Sequence, residues 1–234
     1  MLYNDEVKEL GESNINGERI GEWKTYNHKD FLILQGNYQN GKKHGVWLRY
    51  CDYEKNVIVD TTQYLYGIKN GAFTAYYLNE AIHVTGHYTN DIPDGKWIEY
   101  NLEGNISKSE YYKNGEKEGA SRIYKDGKII WVNNFLKGKP YGWFKLYRYD
   151  QNVKEGIYQF GLKEGIWKYY HESAGVGVLG NYVADKMDGV WIYYDRDSLE
   201  IGKAIFSEGK PLHTNGEVYL NEEHIMDFCE TLYY

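Results

Sequence analysis

The sequence predicts an all-β protein: an elongated single antiparallel sheet, a meander of about eight tandem β-hairpin repeats of ~24 residues. Three observations predict it. A Gly followed by an aromatic residue at +2 and a Tyr at +5 recurs along the chain. An aromatic residue recurs seven positions before that Gly, and Gly or Asp recurs four positions before it. Repetition at a fixed period of this size marks an array of supersecondary units, each of which covers its apolar face with its neighbours.

Counting each anchor Gly as zero, the copies are Gly21-Glu-Trp23-Lys-Thr-Tyr26, Gly45-Val-Trp47-Leu-Arg-Tyr50, Gly71-Ala-Phe73-Thr-Ala-Tyr76 and Gly95-Lys-Trp97-Ile-Glu-Tyr100. They continue with Gly119-Ala-Ser121-Arg-Ile-Tyr124, Gly142-Trp-Phe144-Lys-Leu-Tyr147, Gly165-Ile-Trp167-Lys-Tyr-Tyr170 and Gly189-Val-Trp191-Ile-Tyr-Tyr194. Only Ser121 breaks the aromatic position. The −7 series is Tyr38, Tyr64, Tyr88, Tyr112, Phe135, Tyr158 and Tyr182, with Asn14 failing in the first copy. The −4 series is Gly17, Gly41, Gly67, Asp91, Gly115, Gly138, Gly161 and Asp185, residues that accept positive φ and so predict a tight turn.

Parity argues for strands. Leu32, Ile58, Ile82, Ile106, Ile129 and Val176 at −13 share parity with −9 and −7, which predicts one common face. Gly36, Gly86, Gly156 and Gly180 at −9 leave room for a ring from the next strand. The +2 and +5 rings have opposite parity and should point to opposite faces unless a bulge intervenes. Second turns are signalled by Glu103-Gly104-Asn105 and Asp126-Gly127. A single sheet has no second layer, so it must curl or twist until its aromatic rows cover one another, and these rows are read as core. Residues 1–16 form a lead or cap, either a strand or a tail; residues 17–210 are the repeats, with a ninth, broken copy from Phe206 and Gly209. Residues 211–234 form a C-terminal cap in which Asn221 caps a short helix with Ile225, Phe228, Cys229 and Leu232 on one face.

Composition narrows the function classes. The 234 residues include 26 Tyr, 7 Trp and 7 Phe, an aromatic load that intrinsic disorder does not carry. Three Pro exclude a collagen-like chain. A net charge of −7 disfavours phosphate backbones and anionic lipid as main partners. The opening residues lack the basic and apolar regions of a secretory signal, and no apolar run reaches membrane-spanning length, so an intracellular, cytoplasmic location with reduced Cys51 and Cys229 is expected.

Chemical motifs are weak. Gly175-Val-Gly177-Val-Leu-Gly180 matches a dinucleotide fingerprint but precedes a repeat strand rather than a helix, so a loop plus a repeat glycine is the better reading. His83 and His87 would lie about 13 Å apart on a strand, too far for one metal. Asp195-Arg-Asp197 reads as a polar turn, since it lacks the Gly and terminal Glu of a calcium loop. No catalytic residue, cofactor or metal site is expected.

Gly36-Asn-Tyr38-Gln-Asn-Gly41-Lys-Lys-His44-Gly45-Val-Trp47 resembles a MORN repeat, in the variant form of YwqK-type bacterial proteins, and the resemblance spans residues 14–210. It implies a β-hairpin array that acts as a scaffold and binding surface, and for YwqK-type members an antitoxin- or immunity-like role against a toxin. Function should then lie in aromatics that the repeat does not demand: Trp131, Tyr141, Trp143, Tyr149, Phe160 and Tyr169. These suit a protein interface. Local repacking around Ser121 is the competing account, and carbohydrate binding by aromatic rows is a third reading. Trp143 stands out because +1 is Glu22, Val46, Ala72, Lys96, Ala120, Ile166 or Val190 in the other copies.

Overall fold

A computed structural model describes residues 7–171 and 175–212. Its described residues are all-β: twenty strands in one antiparallel, unclosed sheet that runs as a meander, with no helix among them. The predicted C-terminal helix lies outside the described residues. The chain divides into two compact units at Glu116 and Lys117.

Unit 1 contains β1 (Lys8–Ser13), β2 (Arg19–Tyr26), β3 (Leu32–Gln39), β4 (Lys42–Tyr50), β5 (Ile58–Leu65), β6 (Ile68–Tyr76), β7 (Ile82–Thr89), β8 (Ile92–Pro93), β9 (Gly95–Tyr100) and β10 (Ile106–Lys113). The short β11 (Glu116–Lys117) stands at the division. Unit 2 contains β12 (Gly119–Lys125), β13 (Lys128–Leu136), β14 (Lys139–Arg148), β15 (Gln151–Gln159), β16 (Leu162–Tyr170), β17 (Val176–Val183), β18 (Lys186–Tyr194), β19 (Glu200–Ser207) and β20 (Lys210–Pro211). The lead segment thus supplies a strand, β1, which pairs with β2.

The −5 and −4 residues both take positive φ, as in Asn40 (51°) and Gly41 (71°), Asn90 (52°) and Asp91 (65°), or Ala184 (48°) and Asp185 (67°). Two successive positive-φ residues make the two-residue turn whose twist matches antiparallel strands. At the other edge, Asn27, Asn101 and Asp195 close longer turns by accepting backbone N–H groups on their side-chain oxygens. Asp195-Arg-Asp197 is therefore a polar turn, and Gly175-Val-Gly177-Val-Leu-Gly180 runs into strand β17.

The +2 ring of each hairpin faces −9 of the following one: Trp47 opposes Thr62, Phe144 opposes Gly156, and Trp167 opposes Gly180. The ring also lies across −9 of its own copy. A Cβ placed on Gly36, Gly156 or Gly180 would overlap the indole of Trp47, Trp167 or Trp191. Each of these indoles donates to the adjacent −8 carbonyl, of Asn37, Ile157 and Asn181, at 3.1, 3.1 and 3.2 Å. The −7 tyrosines stand edge-on between successive +2 rings. Tyr38 meets Trp23 at 5.7 Å and Trp47 at 5.0 Å; Tyr182 meets Trp167 at 6.0 Å and Trp191 at 5.0 Å. Such edge-to-face pairs add about 0.5–1.5 kcal/mol each beyond the area they bury. This ladder defines the inner face of the sheet.

Two expectations are corrected. A register shift between +4 and +5 places −13 directly opposite the +5 Tyr, as in Tyr50 with Ile58 and Tyr76 with Ile82, so −13 belongs to the outer face and not with −9 and −7. The +5 tyrosines are also outer-face residues. They are half-buried rather than core, and their hydroxyls donate to −10 side chains, Tyr50 to Gln35 and Tyr170 to Glu155.

Candidate partner-binding face

The outer face carries positions +1, +3, +5, −8 and −10, and its +1 and −8 residues pair across neighbouring strands. In unit 1 this row is largely polar: Glu22 with Asn37, Val46 with Gln63, Ala72 with His87. In unit 2, from β14 onward, it becomes mostly apolar, with Asn181 as the polar exception. Trp143 pairs with Ile157, Ile166 with Asn181, and Val190 with Ile205. Trp143 is 58% exposed, Ile166 51% and Val190 48%. From β14 to β19 the row covers five inter-strand steps, about 24 Å. Exposed apolar residues that line up in this way mark interaction surfaces rather than scattered surface hydrophobics.

A charged border runs beside the row. Glu155 accepts from the Tyr170 hydroxyl at 2.8 Å and pairs with Lys145 at 3.1 Å and Lys168 at 3.6 Å. Burial pushes the Glu155 carboxyl up, but the Tyr170 hydroxyl, Lys145 and Lys168 hold it below the usual carboxylate range. Hydrogen bonding to Glu155 holds the Lys145 ammonium above its ordinary value. Burial, helped by Glu155, pushes the Tyr170 hydroxyl up to about 12. Glu155 and Lys145 thus keep their charges, and Tyr170 its proton, near neutrality.

The six singled-out aromatics separate into four groups. Trp143 sits at the head of the apolar row. Tyr141 and Phe160 are exposed and in ring contact, with centroids 5.3 Å apart, at the turn edge of the same strands. Tyr149 is 90% exposed at the β14–β15 hairpin tip, six residues from Trp143 and so about 20 Å away along the strand. The other two lie on the inner face. Trp131 is half-buried and packs edge-on against Phe144 at 6.3 Å. Tyr169 is a correction: it is 1% exposed, its ring lies 6.3 Å from that of Trp191, and its hydroxyl is 3.0 Å from that of Tyr182, so it has no surface to offer a partner. Ile157, Ile166 and Val190 were not singled out from the sequence. The signal was there, in the alternation of +1 and −8 across unit 2, but aliphatic residues in a strand read equally well as ordinary strand formers.

Among the described residues no group of three or more His, Cys, Asp or Glu could hold a metal ion, and no helix is long and apolar enough to cross a membrane. No protein-family model and no curated protein matches the chain.

Proposed function

We propose that the chain is a non-enzymatic protein-binding scaffold, an array of eight MORN-like hairpin repeats of the YwqK-type variant, which binds its partner through the outer face of unit 2. The observation that carries this reading is the apolar row headed by Trp143, bordered by the Lys145–Glu155–Lys168 network. An apolar strip with a large ring at one end and fixed charges along one side has the anatomy of a protein interface. A sugar would instead be served by successive flat rings, and beyond Trp143 the row holds Ile157, Ile166, Asn181, Val190 and Ile205, with no second ring. Neutralisation of a toxin by direct binding is the narrower form of the same reading.

The test is Trp143→Ala. Crosslinking and capture from native cells identify the partner, which is then purified and titrated against both proteins. The expected result is an unchanged melting temperature with binding weakened by about 2 kcal/mol or more. A large loss of thermal stability with undiminished binding by the folded fraction would show that the ring is structural and overturn the assignment.

A further inference from the structure

The inner face of unit 2 is buried more deeply than one layer of strands accounts for. Every described strand of that unit belongs to the one sheet. In a single layer the side chains that stand farthest from the backbone should meet solvent. Tyr169 and Tyr193, both at +4, are nevertheless 1% and 4% exposed, and Val178 at −11 is 1% exposed. Val84 holds the same position in unit 1 and is half-buried. Tyr169 and Tyr193 flank Val178 across the ladder and can shield it. Shielding the two tyrosines themselves takes a second layer.

The same face is positive. From β13 to β19 its −11, −9, −7, −2, +2 and +4 positions include Lys154 and Lys163 and no Asp or Glu. Lys154 lies 5.7 Å from the Phe144 ring centre and is only 7% exposed. Lys163 lies 5.1 Å from the ring centre of Trp167 and 4.6 Å from that of Tyr182. Rings attract these cations, but covering an ammonium is costly unless an anion is covered with it. Whatever forms the second layer should therefore be both apolar and acidic.

The chain contains such a segment. Residues 213–234 lie outside the described residues, and their sequence has five Asp or Glu, no Lys or Arg, and Ile225, Phe228 and Leu232 among the acids. They continue from Leu212, whose N–H donates to the Ile205 carbonyl of β19 at 2.7 Å. That strand also carries the buried Ala204 and Phe206 of the inner face. The segment is long enough: its 22 residues would span about 33 Å even at the compact rise of a helix, against about 24 Å from β14 to β19.

We propose that residues 213–234 dock on the inner face of unit 2 of their own chain, their carboxylates meeting Lys154 and Lys163 and their apolar side chains covering Tyr169 and Tyr193. The docking stands independently of the outer-face reading, and it leaves the outer face to a partner. In the test, a nitroxide is attached to Cys229 of the full chain after Cys51→Ser. If that substitution does not fold, Cys51 is left in place, where its 3% exposure confines the label to Cys229. Indole resonances, each assigned by a Trp→Phe variant, report the paramagnetic relaxation by NMR.

The expected result is a relaxation enhancement at Trp167 and Trp191 about tenfold that at Trp143, because the effect falls with the sixth power of distance and the two faces lie on opposite sides of a layer about 10 Å thick. Combining Glu217→Gln, Glu222→Gln, Glu223→Gln, Asp227→Asn and Glu230→Gln should abolish the difference. An enhancement that is largest at Trp143, or alike at all three rings in the chain with its carboxylates, would overturn the proposal. So would an amide variant that keeps the full difference. Mixing the spin-labelled chain with an isotope-labelled Cys229→Ser chain distinguishes the occupants. No enhancement in the second chain supports docking within one chain; an undiminished enhancement there makes a second copy the occupant and overturns the assignment.

Discussion

Units 1 and 2 each carry the ring ladder, and it is drier in unit 2. Trp167 and Trp191 are 0% exposed, whereas in unit 1 Trp47 is buried at 3% but Trp23, Phe73 and Trp97 are half-buried. The difference lies at +4, the next inner-face position after the ring. Unit 2 places Leu146, Tyr169 and Tyr193 there; unit 1 places Thr25, Arg49, Ala75 and Glu99. A second large side chain roofs the neighbouring indole, as Tyr169 roofs Trp191. In unit 1 the corresponding space is crossed by ion pairs, Arg49 with Asp60 and Lys108 with Glu99. One repeat frame therefore accepts either large apolar or small and charged residues at +4, and the fully sealed rings, Trp167 and Trp191, stand where +4 is large and apolar. The outer face follows the same trend at +1 and −8, since the unit with the drier core is also the one whose outer row is more apolar.

The largest expected effect tests that contrast directly. Trp167→Ala removes a ring with no exposed surface and should cost about 3–5 kcal/mol of unfolding free energy. Trp97→Ala removes a ring that solvent already reaches and should cost about 1–2 kcal/mol. Urea titrations of both variants measure the difference. Equal losses would mean that exposure does not track core contribution here, and the comparison would fail.

The ring seats give the next effect. Gly180→Ala drives a methyl group into the Trp191 indole, which has no room to move, and should cost about 1–3 kcal/mol. Gly86→Ala makes the same overlap with Trp97. That indole is half-buried and has no hydrogen bond to lose, so it can swing outward, and the cost should stay below about 1 kcal/mol. Thermal melts of the two alanine variants sharpen the comparison, and a larger loss at Gly86 would reverse it.

The seats also show how much was legible in the sequence. Gly at −9 accompanies Trp at +2, as in Gly36 with Trp47 and Gly156 with Trp167, while the larger Thr62 and Asn133 accompany the smaller Phe73 and Phe144. Strands, tight turns and ring positions follow from such fixed spacings. The first copy escaped because its seat, Gly11, stands one residue further back, where the β1–β2 register shifts between Leu10 and Glu12. Position −13 was misplaced for a related reason: parity counting assumes an unbroken ladder, and a bulge at +5 reverses the face. Tyr169 looked surplus because the repeat does not require it. Whether a surplus ring roofs a core or meets solvent depends on the face it shares with its neighbours, and +4 shares the face of Trp191.

The smallest expected effect is in pH dependence, and it tests a likeness between the units in their charge networks. Tyr112 in unit 1 and Tyr170 in unit 2 are both raised from 10.0 to about 12, each by burial and then by a carboxylate, Glu110 or Glu155. A raised value means that the folded state holds its proton more tightly than the unfolded chain. The contribution is therefore whole below pH 10 and is lost as pH rises from 10 to about 12, alike in both units. On the acid limb a carboxylate is held low in each unit, Glu22 by Lys24 and Gln35 in unit 1 and Glu155 in unit 2. Glu155 is held below the carboxylate range, so its contribution is whole above the ordinary carboxylate pKa and is lost as pH falls through the depressed value. Solvent screening of Tyr112, Tyr170 and Glu155, all partly exposed, should keep each of their effects under about 1 kcal/mol. Urea midpoints measured across the pH range should lose their alkaline slope in part with Tyr112→Phe and in part with Tyr170→Phe, and Glu155→Gln should flatten the acid limb alone. An alkaline slope untouched by both phenylalanine substitutions would place that titration elsewhere in the chain and remove the networks as a point of likeness between the units.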